Sequence, residues 1–122
     1  MGRKRLSIGA TLEQDYQFPN STHAYYKLYV YVQPNNLAEG WTRNRIIEEI
    51  NTLGVPCYSG SASEVYLEKA FDDTGLRPEN RLPIAKQLGE TSLMFLVHPT
   101  LTTAEIAQTV DAIDRVFASM IQ

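Results

Sequence analysis

The stretch TSLMFLV, Thr91 to Val97, decides how this chain folds. Side chains alternate across a strand, so the unbroken apolar run from Leu93 to Val97 puts large apolar groups on both faces. A strand that is apolar on both faces must be covered on both, which predicts the centre of a sheet. His98-Pro99 closes it.

Working outward, AYYKLYVYVQ (Ala24 to Gln33) alternates strictly and is rich in tyrosine and valine, the pattern of a second strand. The alternation assigns Ala24, Tyr26, Leu28, Val30 and Val32 to the core. Tyr25, Lys27, Tyr29, Tyr31 and Gln33 take the opposite face. Tyrosines on an outward face form either a cross-strand aromatic cluster or a docking surface, because rings with a polar tip suit interfaces. Tyr25, Tyr29 and Tyr31 are the candidate interface residues. Val55 to Tyr58 reads as a third strand, kept short by Pro56.

Helices fill the gaps. Thr42 is placed as an N-cap, with Trp41 set to staple against Ile46; Ile46, Ile47, Ile50 and Leu53 make a buried stripe. Gly54 supplies a left-handed C-cap. Pro83 and Gly89 bracket IAKQL, proline in the first turn and glycine past the end of a short helix. Thr102 and Glu105 form a capping box, and Ile106, Val110, Ile113, Val116, Phe117 and Met120 follow as one apolar stripe. The expected fold class is α+β, a small three-stranded sheet with two main helices packed on one face and the tyrosine face left open. Residues 1–20 show no period and form an unassigned N-terminal lead; residues 21–122 form the domain.

Composition narrows the function. With 122 residues, 43% hydrophobic and 20% charged, the chain is one ordinary globular domain. A net charge of -3 gives no reason to expect nucleic acid, and Arg3, Lys4 and Arg5 crowd a solvated terminus rather than a groove. No apolar run approaches the ~20 residues of a membrane span, and no signal-peptide core follows the basic residues. One cysteine, Cys57, excludes an internal disulfide framework and a cysteine-based zinc site. A cytoplasmic location is expected.

Standard catalytic signatures are missing. No phosphate-cradling glycine loop, nucleophile elbow or paired helix histidines occur, and no metal site is expected. His23 and His98 read as strand-end residues and Cys57 as a buried thiol. None of Lys4, Lys27, Lys69 and Lys86 occupies a position suited to a Schiff base, which needs a desolvated pocket. The stretch from Gly54 to Phe71 is harder to explain as packing. Tyr58, Ser59, Ser61, Ser63 and Glu64 form a dense polar set that either recognises a polyhydroxylated ligand or satisfies turn backbone.

Read together, HAYYKLYVYV (23–32), RNRIIEEINTLGVP (43–56), VYLEKAF (65–71), LPIAKQLGETSLMF (82–95) and HPTLTTAEIAQTV (98–110) form an ordered set. It resembles the C-terminal small domain of the DegT/DnrJ/StrS sugar aminotransferases, pyridoxal-phosphate enzymes of fold type I. The resemblance implies amino transfer to the keto group of a nucleotide-linked sugar, serving surface polysaccharide, protein glycans or antibiotic sugars. It implies a homodimer whose active site lies between a large domain, which holds pyridoxal phosphate and its lysine, and a small one. The large domain has no counterpart here, so no catalytic residue is expected in this chain and no cofactor is expected to bind it alone. Many family members carry a His-Tyr pair, proline and a second histidine after the glycine matching Gly54. Those positions fall on Gly60, Ser61 and Tyr66, so their substrate contacts do not carry over. Loop length and the closing Leu67, Ala70 and Phe71 survive. The expectation is a fragment, or the product of a truncated reading frame, inactive alone and prone to self-associate through its tyrosine face. The alternative is a free-standing α+β binding module without catalysis.

Overall fold

In the computed structural model the chain is described for residues 19–22 and 24–121. Expectations for Arg3, Lys4, Arg5, His23 and most of the N-terminal lead lie outside these residues. Strand β1 (Lys27–Tyr31), helix α1 (Arg43–Thr52), strand β2 (Cys57–Tyr58), helix α2 (Pro83–Thr91), strand β3 (Ser92–Leu96) and helix α3 (Thr103–Met120) follow in that order. Single 3-10 turns stand at Pro34–Asn36, Val65–Leu67 and Lys69–Phe71.

The sheet order is β1-β3-β2, antiparallel throughout, so the strand predicted to be central is central. Leu28 pairs with Phe95, which pairs with Cys57, and Val30 pairs with Leu93; these side chains share the inner face. Helices α1 and α3 cover that face. Ile46 and Ile50 from α1 and Ala112, Val116, Phe117 and Met120 from α3 join the strand residues in one core. The chain after β1 ties to the end of α3, where Ala38 N–H donates to Met120 C=O at 2.8 Å.

Local signals explain the helix ends. Thr42 Oγ1 accepts from Arg45 N–H at 3.1 Å, and the Arg45 guanidinium lies 4.3 Å from the Trp41 ring centre. Gly54 adopts φ +82°, the left-handed C-cap. Thr102 and Glu105 form the full capping box. Between α1 and β2 the Asn51 amide acts as a surrogate strand: its Nδ2 donates to Cys57 C=O and its Oδ1 accepts from Cys57 N–H, both at 2.9 Å. Cys57 itself is fully buried, and burial pushes its thiol up to about 11.

Several expectations need correction. Ala24 and Tyr26 are not core residues: Tyr25 takes φ +49°, which breaks the alternation before the strand begins and leaves Tyr26 84% exposed. Gly89 lies inside α2 rather than beyond it, because the helix runs on to Thr91 and passes directly into β3. Strands β2 and β3 are shorter than read, at Cys57–Tyr58 and Ser92–Leu96. The α3 stripe is not buried throughout, since its buried residues lie from Ala112 onward and Ile106 and Val110 remain exposed.

The tyrosine face is not open either. Tyr29, Met94 and Tyr58 form one row across its three strands, yet Met94 is only 6% exposed. The residues after β2 fold back over it: a Cβ on Gly60 would stand 3.1 Å from both the Tyr29 ring and Ser92 Oγ.

Removing the Asn51 amide leaves Cys57 N–H and C=O without partners at the sheet edge. Asn51→Ala is expected to cost about 2 kcal/mol, seen as a lower urea midpoint at unchanged slope; a midpoint shared with wild type would contradict the surrogate-strand role.

Candidate functional site

Residues 58 to 68 leave β2, cross the outer face of the sheet and reach the approach to α2. The crossing is pinned at alternate positions. Ser92 Oγ donates to Ser59 C=O. Ser61 Oγ lies 2.7 Å from the Tyr29 hydroxyl, so a candidate recognition residue is tied to a candidate interface residue. Ser63 presses on α2, where a Cβ on Gly89 would stand 2.1 Å from its Oγ. That close approach, not a C-cap, is what Gly89 serves.

Glu64 closes the set through an ion pair. Arg81 Nε donates to Glu64 Oε1 at 2.8 Å and its Nη2 donates to Oε2, a two-pronged contact. The Tyr66 hydroxyl donates to Glu64 Oε1 at 2.7 Å and accepts from Leu82 N–H at 2.8 Å. Only 11% of the Glu64 side chain stays accessible, against 50% for Arg81. The Arg81 and Tyr66 hydrogen bonds hold the Glu64 carboxyl down at about 2. Burial, with the bond to Glu64 next, raises the Tyr66 phenol.

Arg77 repeats the device one turn on. Its Nε donates to Tyr66 C=O at 2.8 Å, and Nη2 reaches Leu67 C=O, Glu68 C=O and the Asp72 carboxylate. Both arginines belong to the loop between the Lys69–Phe71 turn and α2. Their partners lie five to seventeen residues away, and no periodic signal exposes such a pairing.

The five candidate residues therefore divide. Ser61 and Glu64 spend their polar groups inside the chain. The hydroxyls of Tyr58, Ser59 and Ser63 have no hydrogen-bond partner among the described residues, and Tyr58 and Ser59 are exposed. Tyr58 and Ser59 also border a shallow groove of about 340 Å³ between α1 and β2, lined further by Asn44, Ile47, Glu48, Asn51 and Cys57. Sequence reading missed Asn44 and Glu48, which stand one turn apart on the wet side of α1 and carry no mark of their own. Of the candidate interface residues, Tyr29 is half-buried against the crossing, Tyr31 is half-buried in β1, and Tyr25 precedes the strand.

His98 is exposed, its Nδ1 2.7 Å from Thr100 Oγ1 and away from the crossing. No group of three or more metal-ligating residues occurs among the described residues. Nor is any described helix long and apolar enough to cross a membrane.

Comparison with known proteins places this geometry. No protein-family model matches the chain, and no curated protein matches it either. The solved aminotransferase from Psychrobacter cryohalolentis is similar, with 81% identity and a TM-score of 0.78, over 81% of this chain and 25% of that chain. The aminotransferase TlmJ from Streptoalloteichus hindustanus shares the fold at 18% identity and a TM-score of 0.69, over 88% of this chain and 26% of that one. The chain thus spans about a quarter of the aminotransferases it matches. Its α+β fold is that of part of an aminotransferase.

Glu64 sits below its ordinary value of 4.5 in the fold, so the stability it contributes is present above pH 4.5 and disappears as pH falls toward 2. Arg81, Tyr66 and Lys86 are the groups that face it. Glu64→Gln is expected to flatten the acid limb between these values, leaving the smaller slope due to Glu105, held low by the Thr102 backbone. Urea midpoints at pH 2.5, 4 and 6 measure it, and parallel curves for the two proteins would refute the assignment. Gly89→Ala is expected to cost about 1–3 kcal/mol by forcing Ser63 aside, and Ser63→Gly to recover most of that loss in the double variant.

Proposed function

We propose that this chain is the small-domain portion of a pyridoxal-phosphate-dependent sugar aminotransferase of the DegT/DnrJ/StrS kind. The reaction is amino transfer to a keto group on a nucleotide-linked sugar, for surface polysaccharide or protein-glycan synthesis, in a cytoplasmic homodimer. One observation carries the reading: 81% identity to an aminotransferase, over most of this chain and only a quarter of that one.

Pyridoxal phosphate supplies the electron sink of transamination when bound. The described residues do not fit it. Lys27 Nζ stands 5.2 Å from the Tyr26 ring centre, Lys86 pairs with Glu90 at 3.8 Å, and Lys69 is exposed. None is buried, so none has the desolvated setting a Schiff-base amine needs. The cofactor and its lysine are assigned to the part of an aminotransferase that this chain does not span.

What the chain contributes is recognition. The unpartnered hydroxyls of Tyr58, Ser59 and Ser63 each give and accept a hydrogen bond, which suits a polyhydroxylated ligand. They stand on a stretch whose shape is set before any ligand arrives. Holding it costs no ordering on binding, since Glu64 and Ser61 already fix it.

Mixed alone with pyridoxal phosphate, the 122-residue chain is expected to give no internal-aldimine absorbance band and no turnover. A borohydride-trappable lysine adduct together with transamination would overturn the reading. The alternative, a free-standing binding module, would require that no sequence joined to this chain in its genome encode a lysine-bearing cofactor domain.

A further inference from the structure

Helix α2 is the element whose apolar residues find no place in the core. Helices α1 and α3 each bury residues in it, whereas α2 buries only Thr91, at its last position. Leu82 at its start and Ile84 and Leu88, one turn apart along it, are exposed, Ile84 at 71%. Val65 and Leu67 are exposed on the neighbouring 3-10 turn, and the Tyr66 bond to Leu82 N–H holds that turn beside α2. A nine-residue helix is below the length that is stable in water by itself, and an apolar face of this kind marks a contact surface. The rest of the chain holds α2 through Gly89 against Ser63, Arg43 Nη1 of α1 donating to Gly89 C=O, and the Tyr66 bond at Leu82.

We infer that Leu82, Ile84, Leu88, Val65 and Leu67 form the seat on which the remaining three-quarters of an aminotransferase chain rests. The inference depends on the function proposed above. Two observations choose this occupant. The matched aminotransferase is about four times as long as the region shared with it, so a larger body exists to be covered. The seat also adjoins Ser63 and Glu64, which pin the recognition stretch; a ligand held there for chemistry elsewhere must face that same body. The overhanging start of α3, with Ile106 and Val110, has neither link to the stretch, and α3 is already secured by its second half.

The test uses the 122-residue chain and a chimera, the P. cryohalolentis aminotransferase carrying this chain's matching residues in place of its own. Ile84→Asp and Leu88→Asp are made in both. In the isolated chain, where these side chains meet solvent, the melting temperature should move by no more than about 1 °C. In the chimera, where a charge would be buried, it should fall by roughly 5 °C or more, while Ile106→Asp falls less. Equal shifts in the two settings overturn the seat, as does a larger fall for Ile106→Asp. Light scattering of the isolated chain covers the other occupant. A dimer dissolved by Ile84→Asp would give the surface to a second copy, whereas a monomer, or a dimer indifferent to that change, agrees with the seat. If the unmutated chimera fails to fold or to bind cofactor, the proposed function itself fails and the seat falls with it.

Discussion

A sheet of only three strands with an apolar centre cannot be covered on one side alone. Strand β3 sends Leu93 and Phe95 into the helical layer and Met94 to the opposite face, and all three are buried. Two helices meet the first demand. The second falls to whatever chain is at hand, and that is the stretch leaving β2. Exposing Met94 instead would forfeit roughly 1.5–3 kcal/mol of burial, a large part of a small domain's net stability. The path of the stretch over the sheet is therefore a packing requirement before it is anything else.

That requirement explains why its polar residues are divided. Crossing an apolar face obliges the backbone and side chains to find hydrogen bonds on the way. Ser59 C=O takes one from Ser92, Ser61 shares one with Tyr29, and Glu64 takes three from Arg81 and Tyr66. The hydroxyls left over, on Tyr58, Ser59 and Ser63, take no part in that bonding. Serine, small and able to donate and accept, serves both uses, which is why the sequence could not separate them.

Much of the scaffold was legible because it rests on short-range physics. The alternation of β1, the Thr42 and Thr102 caps, the Gly54 turn and the doubly apolar β3 each declare themselves within a few residues, and the structure follows them. The errors arise where a particular contact or backbone turn overrides a periodic rule. Gly89 carries the signature of a C-cap but answers to Ser63, twenty-six residues earlier. Tyr26 continues the alternation of β1 but is lost to the turn at Tyr25. Arg77 and Arg81 look like ordinary loop charges, yet they hold the crossing from outside it.

The stretch from Gly54 to Phe71 is consequently better described as a fixed wall than as a lid. Its ion pair forms between a nearly covered carboxylate and a half-exposed guanidinium, and charge-assisted two-pronged contacts of this kind specify geometry as well as adding energy. Fixation on the inside leaves α2 as its outer support, and α2 is the helix this chain completes least. The core closes without help, while the surface beside the wall does not. A domain built this way closes its core with its own residues and still presents, next to the proposed recognition residues, an apolar side suited to a larger neighbour.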